Sequence, residues 1–245
     1  MPIINTQSGT TIDEIADGIY RISTPIPPDA MPPSGFSFNQ YLIADEKPLL
    51  YHTGPRRMIP VVREAIESVL PVSSLAYIGF SHVESDECGS LNEFLAAAPH
   101  SVPLCGQVAA MVSIDDIALR PARAMADGEV VELGRHRVCW FATPHVPHGW
   151  ECSMAWEETT RTLLCGDLFT QPGHETAPVT EGDILESSEA FRLQMDYYAH
   201  SPDTRLHLTR LSELRPTTLA CMHGSAWRGN GGALLLRLAD RVSPV

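Results

Sequence analysis

Apolar residues along the chain fall into short runs whose spacing changes from segment to segment, and each run predicts an element. GIYRIST (18–24) alternates with the period of a strand, and FNQYLIA (38–44) and PLLYHT (48–53) read as a second and third. RRMIPVVREAIESVL (56–70) has helical spacing, with its proline tolerated near the helix start. LAYIGFS (75–81) is a continuous apolar strand, and GSLNEFLAAAP (89–99) is a helix closed by Pro99. VPLCG (102–106), EVVELG (129–134) and HRVCWFAT (136–143) add strands, and CSMAWEE (152–158) and RTLLCGDLF (161–169) flank a turn at Glu158 to Thr160. The last third reads as helices SSEAFRLQMDYYAHS (187–201) and PDTRLHLTRLSEL (202–214), a short strand TTLACMHG (217–224) and a helix GGALLLRLADRV (231–242). Strands mixed with helices across both halves predict an α/β fold, a layered αββα sandwich with two sheets inside and helices outside. The Pro-rich piece PIPPDAMPPSG (25–35) reads as a rigid surface loop.

Composition narrows the function classes. With 245 residues, 44% of them hydrophobic, the chain can bury a sizeable core, and a single domain over 1–245 is expected. A formal net charge of −13 without a Lys/Arg-rich block argues against a nucleic-acid partner. The N-terminus has neither the basic start nor the apolar core of a signal peptide, and no run approaches the ~18 apolar residues that span a bilayer, so no membrane partner and a cytoplasmic location are expected. Six cysteines lie scattered without a CxxC pair, mostly beside apolar residues, and read as core positions rather than ligands.

The candidate chemistry lies at strand ends. His82, Glu84, Asp86 and Glu87 follow LAYIGFS in the stretch SHVESDEC; His145 and His148 follow WFAT; Asp167 follows TLLCG; His223 follows TLACM. A lone His or Asp at such a place is commonly structural, but four clusters at the ends of strands can converge at one edge of a sheet. Imidazole and carboxylate donors without thiolate suit iron, manganese or zinc.

On these residues the chain resembles the metallo-β-lactamase superfamily over about residues 18–230. The superfamily's usual first motif, HxHxDH, stands here as His82-x-Glu84-x-Asp86-Glu87. His148 lies nineteen positions before Asp167, Asp167 sits in a GD turn like the family's bridging Asp, and His223 in CMHG matches the final ligand. HxExD is similar to the diiron domain of flavodiiron proteins and of related oxygen-binding diiron proteins, and a harder carboxylate in place of the second imidazole tilts the metal from zinc toward iron. The resemblance implies one metal held by His82, Glu84, His148 and Asp167, and a second by Asp86, His223 and the same Asp167. Glu87 replaces the motif's last His: it could bind, accept a hydrogen bond from a ligand, or leave the position to water, and it is placed beside the site rather than among its ligands. His145 is the rival of His148, which the spacing favours, so His145 is expected in the pocket. Trp150, Trp227, Tyr197 and Tyr198 are further candidates for its wall, while Met195 and Met222 are expected to pack.

The implied function is a non-haem diiron oxidoreductase that binds O2, with NO as an alternative ligand, and reduces it or uses it to oxidise a substrate. The expected cofactor is two iron ions, with zinc or manganese as alternatives. Flavodiiron proteins carry a flavodoxin-like domain after the diiron domain; none is expected here, and GNGG (229–232) is too short to cradle a phosphate, so no bound flavin is expected and electrons would come from a separate donor protein or from the substrate. A homodimer is common among relatives. Two other functions stay open: a dinuclear hydrolase of an ester, lactone or phosphodiester, and an oxygen sensor without turnover.

Overall fold

The computed structural model describes residues 3–31 and 33–243. Eight strands lie side by side in chain order in the first sheet: β1 (Ile3–Asn5), β2 (Thr10–Ala16), β3 (Ile19–Ile26), β4 (Phe36–Ile43), β5 (Leu49–Tyr51), β6 (Tyr77–Gly79), β7 (Val102–Gly106) and β8 (Arg123–Met125). Pairing is antiparallel as far as β5 and parallel from β5 to β8. Parallel neighbours need crossovers, supplied between β5 and β6 by α1 (Ile59–Glu67), and between β6 and β7 by α2 (Ser85–Cys88) and α3 (Leu91–Ala97).

The second sheet contains β9 (Val130–Glu132), β10 (Arg137–Ala142), β11 (Ser153–Glu157), β12 (Thr162–Leu164), β13 (Val179–Thr180), β14 (Thr218–Ala220) and β15 (Ala226–Arg228), in the order β13-β15-β14-β12-β11-β10-β9. Its parallel pair β12–β14 is bridged by a long connection carrying α4 (Leu185–Met195) and α5 (Thr204–Glu213), and α6 (Gly231–Val242) follows β15. Both sheets are mixed and flanked by helices, as expected.

Strand side chains alternate between two cores. Tyr41, Ile43, Leu49, Tyr51, Val138, Trp140, Leu164 and Ala220 fill the space between the sheets. Their neighbours Leu42 and Leu50 pack with Val62, Ile66, Phe94 and Leu95 of α1 and α3, and Leu163 and Leu219 pack with Leu208, Leu211, Leu235 and Leu238 of α5 and α6. Both faces of the central strands are covered, which is why the runs read as continuous rather than alternating.

Several boundaries differ from the sequence expectation. β1 and β2 were not anticipated: a register shift between Glu14 and Ala16 puts the buried Ile12 and Ile15 three apart, which hides the period of two. The Pro-rich piece contributes Pro25 and Ile26 to β3, and its described remainder to Ser34 is exposed. The helix expected over 187–201 stops at Met195, because Asp196 takes a left-handed conformation (φ 49°) and turns Tyr197 and Tyr198 back toward the sheet. Among the described residues no helix is long and apolar enough to cross a membrane.

Candidate metal centre

The turns that follow β6, β10, β12 and β14 meet at one edge of the sandwich. After β6 the chain bends through residues 81–84 and then makes the short helix α2, so that His82 and Glu84 come from the loop and Asp86 and Glu87 from the first helical turn. Asp167 follows Gly166, whose left-handed φ of 52° and closeness to Ser81 (a Cβ there would lie 3.1 Å from Ser81 Oγ) explain the glycine of the GD turn.

Asp167 stands at the centre with its oxygens divided. Oδ2 lies 3.6 Å from His82 Nε2 and 3.3 Å from His148 Nε2, whereas Oδ1 lies 3.3 Å from His223 Nε2. Around Oδ2, His82 Nε2 and His148 Nε2 face each other at 2.9 Å, and Glu84 Oε1 is 3.2 Å from His148 Nε2 and 3.8 Å from His82 Nε2. On the Oδ1 side, Asp86 Oδ2 is 3.4 Å from His223 Nε2. His82, Asp167 and His223 are buried and Asp86 and His148 half-buried, while Glu84 is 51% exposed at the mouth.

These charges shape one another in the metal-free chain. Burial alone would push Asp167 up, but the close His223 imidazole, and then those of His82 and His148, hold it well below the usual carboxylate range. Burial would likewise lower His223, yet the Asp167 and Asp86 carboxylates, 3.3 and 3.4 Å from its Nε2, raise it to about 10. His82 is lowered, mainly by burial, and so presents a neutral imidazole. Glu87 is raised well above the carboxylate range by burial first, then by the charges of Asp167 and Asp86. Its carboxyl and that of Asp86 are close enough to share a proton, although neither Glu87 oxygen meets a partner at formed hydrogen-bond geometry.

Three donor groups emerge, each with ligand atoms within 4.8 Å of one another: His82, Glu84 and His148; His82, Glu87 and Asp167; Asp86, Glu87 and His223. Asp167 Oδ1, His148 Nδ1 and both Glu87 oxygens are buried without hydrogen-bond partners. Buried polar atoms without partners are costly, and a pair of cations would satisfy this convergent set of imidazoles and carboxylates. The residues present therefore fit a dinuclear metal group.

A layer behind the donors was not anticipated from sequence. His52, buried at the end of β5 with φ 65°, accepts a hydrogen bond at Nε2 from the Ser81 N–H (3.3 Å) and places Nδ1 2.9 Å from Met222 Sδ. Burial lowers its pKa to about 3, so it stays neutral with the proton on Nδ1. Ser81 Oγ lies 3.0 Å from His52 Nε2 and 2.8 Å from His82 Nδ1; the hydroxyl thus donates to His52 and accepts from His82 Nδ1–H, which leaves the His82 Nε2 lone pair aimed at the centre. The signal was a histidine at a strand end, in PLLYHT, where the other clusters also stood. Ser81→Ala is expected to fold normally and to weaken metal retention roughly 10- to 100-fold; chelator-release kinetics equal to those of the parent would remove Ser81 from this role.

The final turn is held by the first sheet. Asn39 Nδ2 donates to Cys221 O and Gly224 O (2.9 and 2.8 Å), Tyr41 Oη to Cys221 O (2.6 Å), and the buried Arg21 to Gly224 O (2.7 Å). His223 Nδ1 donates to Ser37 O (2.8 Å), and the His223 ring stacks on Phe36 with centroids 4.3 Å apart.

Of the expected wall, Tyr197 is present: it lines the mouth with Phe36, Thr170 and Phe191, meets the His148 ring edge-on at 5.8 Å, and donates to Asp167 O (3.2 Å). Tyr198 is instead a core residue behind it, under Arg192. His145 is exposed in the turn and belongs to none of the donor groups; Trp150 is 57% exposed beside Gly106 and Trp140, away from the centre. Trp227 packs on the second core and donates to Gly182 O. Met222 packs as expected, whereas Met195 is exposed and lines an apolar cavity of about 350 Å³. That cavity shares Phe36 and Phe191 with the metal mouth. All six cysteines are buried free thiols.

The anaerobic nitric oxide reductase flavorubredoxin of Salmonella arizonae is 26% identical over 206 residues, covering 80% of this chain, which spans only 42% of that relative's length. Among solved structures, the Flv1 flavodiiron core of Synechocystis superposes with a TM-score of 0.81 at 20% identity, covering 95% of this chain and 60% of that one. Rubredoxin:oxygen oxidoreductase of Desulfovibrio gigas gives 0.77 at 20% identity, covering 94% and 62%. Residues 36–224, which carry all four clusters, match the family model described as ODP family beta lactamase, and the chain belongs to that family, within the metallo-β-lactamase superfamily.

Proposed function

We propose that this chain is a diiron oxidoreductase acting on O2 or NO, with His82, Glu84, His148 and Asp167 at one iron and Asp86, His223 and Asp167 at the other. The observation that carries this reading is the divided carboxylate of Asp167, one oxygen toward His82 and His148 and the other toward His223. Two irons so placed would supply electrons to a bound diatomic molecule. The chain's own residues orient the donors: Ser81 sets the His82 tautomer and Ser37 O fixes the His223 ring. The three ligand carboxylates Glu84, Asp86 and Asp167 would stabilise the rise in positive charge on oxidation.

Other observations favour a small apolar substrate. Phe36, Phe191 and Tyr197 wall the mouth, and the apolar cavity behind Phe36 and Phe191 suits uncharged gases better than a phosphodiester. Relatives named for nitric oxide reduction and for oxygen reduction with rubredoxin support both diatomic substrates and a separate electron-donor protein.

The deciding experiment measures metal in protein expressed without supplementation, then reduces it anaerobically and records its spectrum on adding O2. Two irons per chain and a transient charge-transfer band are expected; two zincs with a silent spectrum would return the centre to hydrolysis. Glu84→His should raise the zinc-to-iron ratio bound in competition on the order of tenfold and slow oxidation by O2. Unchanged iron loading and oxidation kinetics would refute the role given to Glu84.

A further inference from the structure

We propose that Glu87, where the family pattern has a histidine, is a ligand of both metals and forms a second carboxylate bridge beside Asp167. This rests on the dinuclear reading above. Glu87 is fully buried, and each of its oxygens lacks a partner. It belongs to two donor groups on opposite sides of the centre, one with His82 and Asp167 and one with Asp86 and His223, with Oε2 3.9 Å from His82 Nε2. Membership of both sets puts Glu87 within reach of His82 and Asp167 on one hand and of Asp86 and His223 on the other.

A structural role would leave a different trace. Glu87 is the third residue of α2, where a glutamate commonly folds back to the backbone N–H at the helix start, yet neither oxygen accepts such a bond. Among the described residues no arginine or lysine pairs with it, its one ion-pair neighbour being His82. A buried carboxyl beside the Asp86 carboxyl, with His82 3.9 Å away and no formed hydrogen bond at either oxygen, weakens the metal-free fold, whereas two cations would satisfy both oxygens at once.

The charge balance then becomes complete. Glu84, Asp86, Glu87 and Asp167 carry four negative charges against two divalent cations, and the three imidazoles are neutral. A histidine at position 87 would leave one positive charge uncompensated. Such a set favours hard cations such as manganese and iron over zinc.

The test uses the whole chain, stripped and reloaded with Mn(II), so that electron paramagnetic resonance reports coupling between the ions independently of activity. The parent is expected to bind two equivalents with a coupled signal. Glu87→Gln should lose both equivalents to a chelator at least about tenfold faster, with weakened coupling, while its metal-free unfolding midpoint is unchanged or higher. Glu87→Met, which removes the polar group, should raise that midpoint further and repeat the metal loss, so the inference stays testable if one variant folds poorly. Faster loss of a single equivalent would overturn the bridge in favour of a ligand to one metal. Unchanged retention with a lowered metal-free midpoint would make Glu87 structural. A parent that binds one equivalent would overturn the dinuclear reading, and the bridge with it.

Discussion

Asp167→Ala is expected to abolish both metal equivalents together, from two per chain to near none. The reason is geometric: Oδ2 faces His82 and His148 while Oδ1 faces His223, so a single side chain completes both donor sets. Removing it also leaves two imidazoles facing one another, the buried His82 and the half-buried His148 at 2.9 Å, without the carboxylate that attracts a cation between them. Asp167→Asn separates charge from shape, because the amide keeps one oxygen for one side and turns an NH2 donor toward the other; one position should weaken more than its neighbour. Elemental analysis of purified variants gives the answer. Retention of one full equivalent by Asp167→Ala would show that the carboxylate serves a single metal.

The metal-free chain is expected to lose stability as pH rises from about 7 to 10, while the metal-loaded chain does not. His223 is raised from 6.5 to about 10 in the folded state, since its attraction to the Asp167 and Asp86 carboxylates outweighs the cost of burial. A group raised on folding contributes stability that is full below its unfolded value and is lost as pH climbs through the folded one, so this imidazolium contribution fades between 6.5 and about 10. Glu87, also raised, acts in the same direction, because unfolding lets it ionise in water. Asp167 is depressed and governs the acid side: its contribution is present above the unfolded value of 3.8 and lost as pH falls. Metal binding reverses the alkaline trend, because the cations need His223 and Glu87 deprotonated and displace their protons. Denaturant midpoints across this range, with and without metal, test the pair of slopes. A flat or rising midpoint for the metal-free chain would show that His223 is not held as the imidazolium between its two carboxylates.

What local sequence can determine is periodicity and chemistry at strand ends. The doubly covered strands β10 and β12 were legible because burial on both faces demands nearly unbroken apolar runs, and the spacing from His148 to Asp167 singled out a histidine that the structure places at the centre while His145 stays exposed. β2 was not legible, because its bulge breaks the alternation, and the end of α4 was missed because Asp196 reverses the chain without a glycine to announce it.

The tertiary structure alone decided everything that depends on turns from both sheets meeting. Tyr197 reaches the mouth and Trp150 does not, although both follow plausible signals. His52 joins Met222, 170 positions away, and Ser81, and neither partner leaves a mark in the spacing of PLLYHT. Glu87 looks in sequence like one more acid in a solvated loop; its burial follows from α2 turning it inward while Glu84, three residues earlier, stays at the surface. A carboxylate's role is set by what surrounds its oxygens, and those surroundings come from loops distant in the chain that only the packed sheets bring together.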